Sequence, residues 1–269
     1  MHYYSKNGEL IDMPEQEALR LLKQQFRSRI PTGQQVFLEA INAQLGQNRN
    51  NPDWIKSHFS ELVESTQIGA YGIYKRSEQA AISPSLREVF GRLLPAEPTR
   101  EDFLRVLEEH AGTLDEFFLS LTQGRRSRAG KAFEHIIKTL FDILGYPYTP
   151  QAIINGQPDF LLPSQEHFTT NAMDCIIFTV KRTLRERWRQ IVTEGLRGHQ
   201  FFLATIDEKK GQRDLQEMQS ARIYLVVPAR IKNGNERYTG APNVISFETF
   251  FAQHLDPAMV RWRNNGVIH

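Results

Sequence analysis

The chain has 269 residues, 33 of them Lys or Arg and 31 Asp or Glu, for a net charge of +2. That length suits one large α/β domain or a core with a smaller arm, and it buries enough apolar surface to need no disulfide staples. The single cysteine, Cys175, excludes a disulfide framework and a cysteine-based zinc centre, and suits a reducing cytosol.

Cys175 itself reads as a small buried hydrophobe. There is no basic n-region running into an apolar stretch near Met1, and no apolar run approaches the ~18 residues that span a bilayer, so a soluble, cytoplasmic protein without membrane contact is expected. So small a net charge does not mark a nucleic-acid binder, because such binding rests on clustered Lys and Arg.

From Pro14 to about Leu45 the apolar residues recur at three- and four-residue spacing, which predicts two amphipathic helices broken at Pro31-Thr32-Gly33. Gln47 to Pro52 reads as a loop, and Trp54 to Val63 as a helix with Asp53 at its N-cap. Gly69 to Tyr74 reads as irregular or a short strand, and the polar run to Ser83-Pro84 as an exposed connector. These signals divide the chain into a helical N-terminal arm, 1–84, and a core, 85–269.

Residues 86–94 form a helix stopped by Pro95, and Thr99 with Asp102 three residues on starts another. A third covers Leu114 to Leu121, Gly124 to Gly130 interrupts, and Lys131 to Leu144 is a long amphipathic helix ended by Gly145. Strands at 159–162, 175–181, 201–206, 223–227 and 244–247 then alternate with helices at 184–196, 212–220 and 248–254. That order predicts an α/β fold, a mixed central sheet with helices on both faces.

The chemistry concentrates around Asp159, at the start of one apolar strand, and Lys181, at the end of the next, with Glu194 13 residues further on a predicted helix. Phosphodiester hydrolysis needs a divalent cation on carboxylates, a polarised water and positive charge facing the phosphate. Asp159 and Glu194 supply hard oxygen ligands for Mg²⁺, and Lys181 orients or deprotonates water and stabilises the transition state. A Pro-Asp pair is also a common turn former, and a strand-end lysine a common solvated edge residue. An acid near a helix end is disfavoured by the macrodipole, which weights Glu194 toward ligand duty.

Two basic knots flank these acids: Arg125, Arg126, Arg128 and Lys131, and Lys181, Arg182, Arg185, Arg187 and Arg189. Each alone reads as a solvated face. Thr183 and Glu186 have capping-box spacing, which accounts for Glu186 without function. The functional reading gives Arg185, Glu186 and Arg187 to base edges, since Arg pairs bidentately with guanine and a carboxylate accepts from cytosine N4.

At Arg126 to Glu134, Pro158 to Pro163, Val180 to Gln190 with Glu194, and Leu225 to Pro228, the chain resembles type II restriction endonucleases of the PD-(D/E)XK superfamily, in the EcoRII, SsoII, Ecl18kI and PspGI family. The resemblance implies a restriction-endonuclease-like fold and an active site of Asp159, Lys181 and Glu194, the second acid having moved to the following helix. Position 179, where the usual motif has that acid, is Thr. It implies Glu134 as an additional acid for a second metal or a water, and Arg185, Glu186 and Arg187 as the base readers. Arg182 departs from the family's Lys-Thr-Thr and puts phosphate contacts there in question.

The resemblance further implies Mg²⁺-dependent cleavage of double-stranded DNA at a CC/GG-containing site (CCNGG-, CCWGG- or CCGG-like), 5′-phosphate ends with 5′ overhangs, homodimers, and in some members a flipped base. Trp54 is the candidate stacking platform for a flipped base, against core packing; Phe59 is read the same way. A structure-specific or repair-type nuclease of the superfamily and a non-catalytic DNA-binding module are the alternatives.

Overall fold

A computed structural model describes residues 2–4, 10–154, 157–184 and 201–269. The chain divides into two compact units, one of Met1–Val36 with Gly69–Ala129, the other of Phe37–Ile68 with Gly130–His269.

In the first unit, strands β1 (His2–Tyr4) and β2 (Leu10–Asp12) pair antiparallel, and helix α1 (Glu15–Arg29) follows. Its buried residues Ala18, Leu22 and Phe26 recur every four positions; Glu15 and Glu17 lie in its first turn and Arg27 and Arg29 in its last, as the macrodipole favours. It stops at Ile30, which is extended because Pro31 disfavours the helical region before it. Helix α2 spans Gly33–Leu45.

Helix α3 (Pro52–Ser57) is capped by Asn51, whose side chain accepts from the Trp54 N–H at 3.1 Å, and not by Asp53. Pro52 takes the first helical position, so the cap falls at Asn51, two residues before Asp53. Helix α4 runs unbroken from Phe59 to Phe90, through the irregular stretch expected at 69–74 and the connector expected at Ser83-Pro84. The boundary expected near residue 84 therefore falls inside a helix. Ala70, Tyr74, Glu78, Ala81 and Ser85 form a buried stripe along it, and that packing outweighs a helical cost of about 1 kcal/mol per glycine.

Helix α5 (Arg100–Glu109) begins with the expected capping box of Thr99 and Asp102. Helix α6 (Ala111–Ile143) passes through 124–130, where an interruption was expected. Gly124 has a use there: an added Cβ would lie 2.8 Å from Arg128 Nη2, whose guanidinium sits over the Tyr74 ring at 4.1 Å. Gly145, at φ +68°, ends α6 in the expected way, with the Tyr146 N–H donating to the Phe141 carbonyl.

The second unit carries the expected mixed sheet, in the order β3 (Thr149–Pro150), β4 (Phe160–Leu162), β5 (Ile176–Val180), β6 (Phe201–Ala204), β7 (Ile223–Val227), β8 (Val244–Ser246). The β3, β4 and β5 pairings are antiparallel and those from β5 to β8 parallel. Both faces are covered, so β4, β5 and β6 are buried throughout and read as continuous apolar runs. Leu161, Ile177, Leu203 and Leu225 face a core with Leu215, Met218 and Tyr238. On the other face Phe160 and Phe178 pack on Phe141 of α6, at 5.3 and 5.5 Å between ring centroids. The helix expected at 184–196 lies outside the described residues from position 185 onward.

Candidate active site

The β4–β5 pairing registers Phe160 on Phe178, which sets Asp159, one residue before β4, across from Thr179 near the end of β5. Alternation along β5 puts Ile177, Thr179 and Lys181 on one face, so acid and amine meet at the same end of the sheet. Asp159 Oδ2 accepts from Thr179 Oγ1 at 2.8 Å, from the Val180 N–H at 2.6 Å and from Lys181 Nζ at 3.3 Å. The Asp159 side chain is 9% exposed and that of Lys181 45%, so the carboxylate is sunk in the sheet and the amine stands at its mouth.

Three donors on Oδ2 use that oxygen structurally. Oδ1 has no hydrogen-bond partner among the described residues, which leaves a hard anionic oxygen for a cation or a water. The Thr179 hydroxyl is a site group that the sequence reading does not name; a threonine where the usual motif has its second acid is the signal for it.

Lys181 is held on both sides: its N–H donates to the Ala204 carbonyl at 2.9 Å, extending the β5–β6 ladder. Thr205 Oγ1 donates to the Arg182 carbonyl at 3.3 Å, and the Leu184 N–H donates to Asp207 Oδ2 at 2.9 Å. Arg182 is exposed.

Glu134 is half-buried on α6, on the same side as Ile137 and Phe141, and among the described residues it makes no hydrogen bond or ion pair. The structure thus brings Asp159 and Lys181 together but shows no contact of Glu134 with either. Glu194, Arg185, Glu186 and Arg187 lie outside the described residues, and among the described ones no group of three His, Cys, Asp or Glu is placed to hold a metal.

In the first unit Arg125 grips the Glu78 carboxylate, with Nε 2.8 Å from Oε1 and 3.1 Å from Oε2; the Glu78 side chain is 2% exposed. Arg128 bonds the Tyr74 hydroxyl as well as lying over its ring. Both arginines are therefore engaged within their own unit. Lys131 is exposed, and the side chain of Arg126 is outside the description.

Trp54 is half-buried and stacks on His58, centroids 4.4 Å apart and planes within 18°. Phe59 is fully buried, against Phe141, Phe247 and Phe251. Burial pushes the Cys175 thiol up to about 12, helped by Asp174, so the thiol is inert at neutral pH.

A mixed sheet of this order with flanking helices is a restriction-endonuclease-like fold, and Asp159 and Lys181 meet at one end of it. The sequence profile of the family described as EcoRII C terminal matches residues 94–251, a span that holds Glu134, Asp159, Lys181 and Glu194. The chain belongs to this family of type II restriction endonucleases.

It is 26% identical over 235 residues to the type II restriction enzyme SsoII of Shigella sonnei, covering 82% of this chain and 75% of that enzyme. To EcoRII of Escherichia coli it is 35% identical over 137 residues, covering 48% of this chain and 34% of EcoRII. Among solved structures, metal-depleted Ecl18kI in complex with uncleaved, modified DNA superposes with a TM-score of 0.75 at 25% identity, over 96% of this chain and 88% of that one. PspGI bound to substrate DNA superposes with a TM-score of 0.61 at 22% identity, over 87% of this chain and 96% of that one, and shows the shared fold.

Proposed function

We propose that the protein cuts double-stranded DNA at a CC/GG-containing site, of the CCNGG, CCWGG or CCGG kind, in a Mg²⁺-dependent reaction leaving 5′-phosphate ends and 5′ overhangs. The observation that carries this reading is the Asp159–Lys181 pair, with one carboxylate oxygen held by three donors and the other without a hydrogen-bond partner among the described residues. Family membership and the DNA complexes of Ecl18kI and PspGI support it.

In this reading Asp159 Oδ1 and Glu194 hold the cation, and Glu134 holds a second one or a water. The bound cation supplies charge neutralisation at the phosphate and lowers the cost of forming hydroxide. Lys181, anchored by its carboxylate contact yet open to solvent, orients the attacking water and donates to a phosphate oxygen as negative charge grows there. Thr179 and the Val180 N–H keep Asp159 in one orientation throughout.

Arg185, Glu186 and Arg187 read the G·C pairs, and Lys131, Arg126 and Arg182 contact phosphates. Arg125 and Arg128 were candidates for the same duty, but their bonds to Glu78 and Tyr74 favour an internal role. The Trp54–His58 stack offers an aromatic face on which an extruded base can rest. A homodimer, with the helical N-terminal part contributing DNA or dimer contacts, matches a symmetric site with one centre per strand.

Digestion of supercoiled plasmid with and without Mg²⁺ tests the proposal. Discrete fragments ending at CC/GG sites are expected; fragments dependent on DNA branching, or no cleavage, would replace it with a structure-specific nuclease or a binding module. Lys181→Ala is expected to abolish cleavage while target binding persists, and retained cleavage removes the lysine from the mechanism.

A further inference from the structure

The chain between Lys181 and Leu184 is fastened by the loop that leaves the neighbouring parallel strand. Thr205, just past β6, donates its hydroxyl to the Arg182 carbonyl, and Asp207 Oδ2 accepts the Leu184 N–H. Leu184 is 1% exposed within the sheet's core, so a side-chain anchor and a main-chain anchor act on the same residue. Asp207 is in turn held: its own N–H donates to Thr205 Oγ1 at 3.1 Å, its Oδ1 accepts the Lys209 N–H at 3.0 Å, and its carbonyl accepts the Tyr238 hydroxyl at 2.6 Å. Tyr238 is fully buried, and its hydroxyl also accepts the Lys210 N–H at 3.2 Å. The loop is therefore a stiff support, tied to the core at two points.

We infer that Asp207 is a positioning residue for target selection: it fixes where the chain leaves Leu184, one peptide bond before Arg185, relative to the amine of Lys181. The inference rests on the proposed base-reading role of residues 185–187. Cleavage and reading share one anchor in this arrangement, since the Lys181 N–H and the Arg182 carbonyl are bonded to consecutive residues, Ala204 and Thr205, and Asp207 follows two positions on. Bidentate base contacts depend on the placement and orientation of the side chain, so a loosened anchor weakens discrimination more than binding. An aspartate suits the position because its two oxygens serve two N–H donors at once.

The test compares Asp207→Ala and Asp207→Asn with the unchanged enzyme, measuring single-turnover cleavage of a target duplex and of duplexes altered at one outer G·C pair, with Mg²⁺. The asparagine keeps a carbonyl oxygen for the Leu184 N–H. Asp207→Ala is expected to lower the target-to-altered rate ratio about tenfold, the equivalent of losing part of one bidentate contact, and Asp207→Asn to restore most of it. Amide exchange at Leu184 is expected to quicken in Asp207→Ala only. A ratio unchanged in Asp207→Ala, or equally reduced in both variants, overturns the inference. Arg185→Ala and Glu186→Gln run alongside: an intact ratio in these overturns the base-reading assignment and the inference with it, whereas a reduced ratio in these beside an unchanged one in Asp207→Ala overturns the anchor alone.

Discussion

Replacing Thr179 by Val removes one hydroxyl from the centre of the site while leaving shape and strand propensity nearly unchanged. Asp159 Oδ2 then keeps the Val180 N–H at 2.6 Å and the Lys181 amine at 3.3 Å, and loses its 2.8 Å bond to the threonine. A hydrogen bond to an ionised acceptor contributes about 1.5–3 kcal/mol, and with two donors remaining the lower end is expected, about 1.5 kcal/mol. With a urea slope of roughly 3 kcal/mol per molar, the unfolding midpoint falls by about 0.5 M. If the same looseness of the carboxylate carries into the transition state, cleavage slows by about tenfold. Thr179→Ser, which keeps the hydroxyl, is expected to hold most of the rate. Single-turnover cleavage of a target duplex beside urea titration reads both quantities. A valine variant that cuts at full speed would show that the hydroxyl only stabilises the fold, and one with an unchanged midpoint as well would show that the bond contributes nothing.

Arg125→Met leaves the buried Glu78 carboxylate without its partner, a loss of about 3 kcal/mol in folding stability, and Glu78→Leu in the same chain is expected to recover most of it; a phosphate contact would instead reduce the salt dependence of DNA binding by about one ion while sparing stability. His110 is fully buried with neither ring nitrogen hydrogen-bonded among the described residues, and desolvation holds its pKa below the usual 6.5 against the pull of Glu109 and Glu15. The folded state then binds fewer protons than the unfolded state, so stability is complete above about pH 6.5 and declines below it, by up to about 1.4 kcal/mol per pH unit, until the folded pKa is reached. Burial lowers His254 in the same sense. Thermal unfolding at pH 7.5 and 5.5 checks this, and a His110→Leu variant with an equally steep acid loss would exonerate the histidine.

The sheet was legible because its strands are short, wholly apolar runs, which is how parallel strands covered on both faces read, and Asp159 and Lys181 were legible because they punctuate two of those runs. The continuity of the two long helices was not, although segments of each read as helical. Gly69, Gly72 and Pro84 in α4 and Gly124 in α6 carry breaker signals that tertiary packing overrides, and the buried stripe of α4 includes Glu78 and Ser85, which no apolar periodicity reveals. The helix Gln165–Asn171 buries none of its residues and so has no hydrophobic signature, and β3 is two residues long. The anchoring roles of Thr179 and Asp207 depend on contacts between residues about twenty positions apart, beyond the reach of local pattern.

The β4–β5 hairpin closes through residues 163–175 at the end of the sheet remote from Asp159 and Lys181. Length changes in that connection act on the closed end of a ladder whose rungs are already set by Phe160–Phe178 and Leu162–Ile176, and so leave the acid opposite the amine. A single deletion between Ile176 and Lys181 has the contrary effect, turning the lysine to the opposite face. Tolerance of indels and vulnerability to them thus sit at the two ends of one pair of strands.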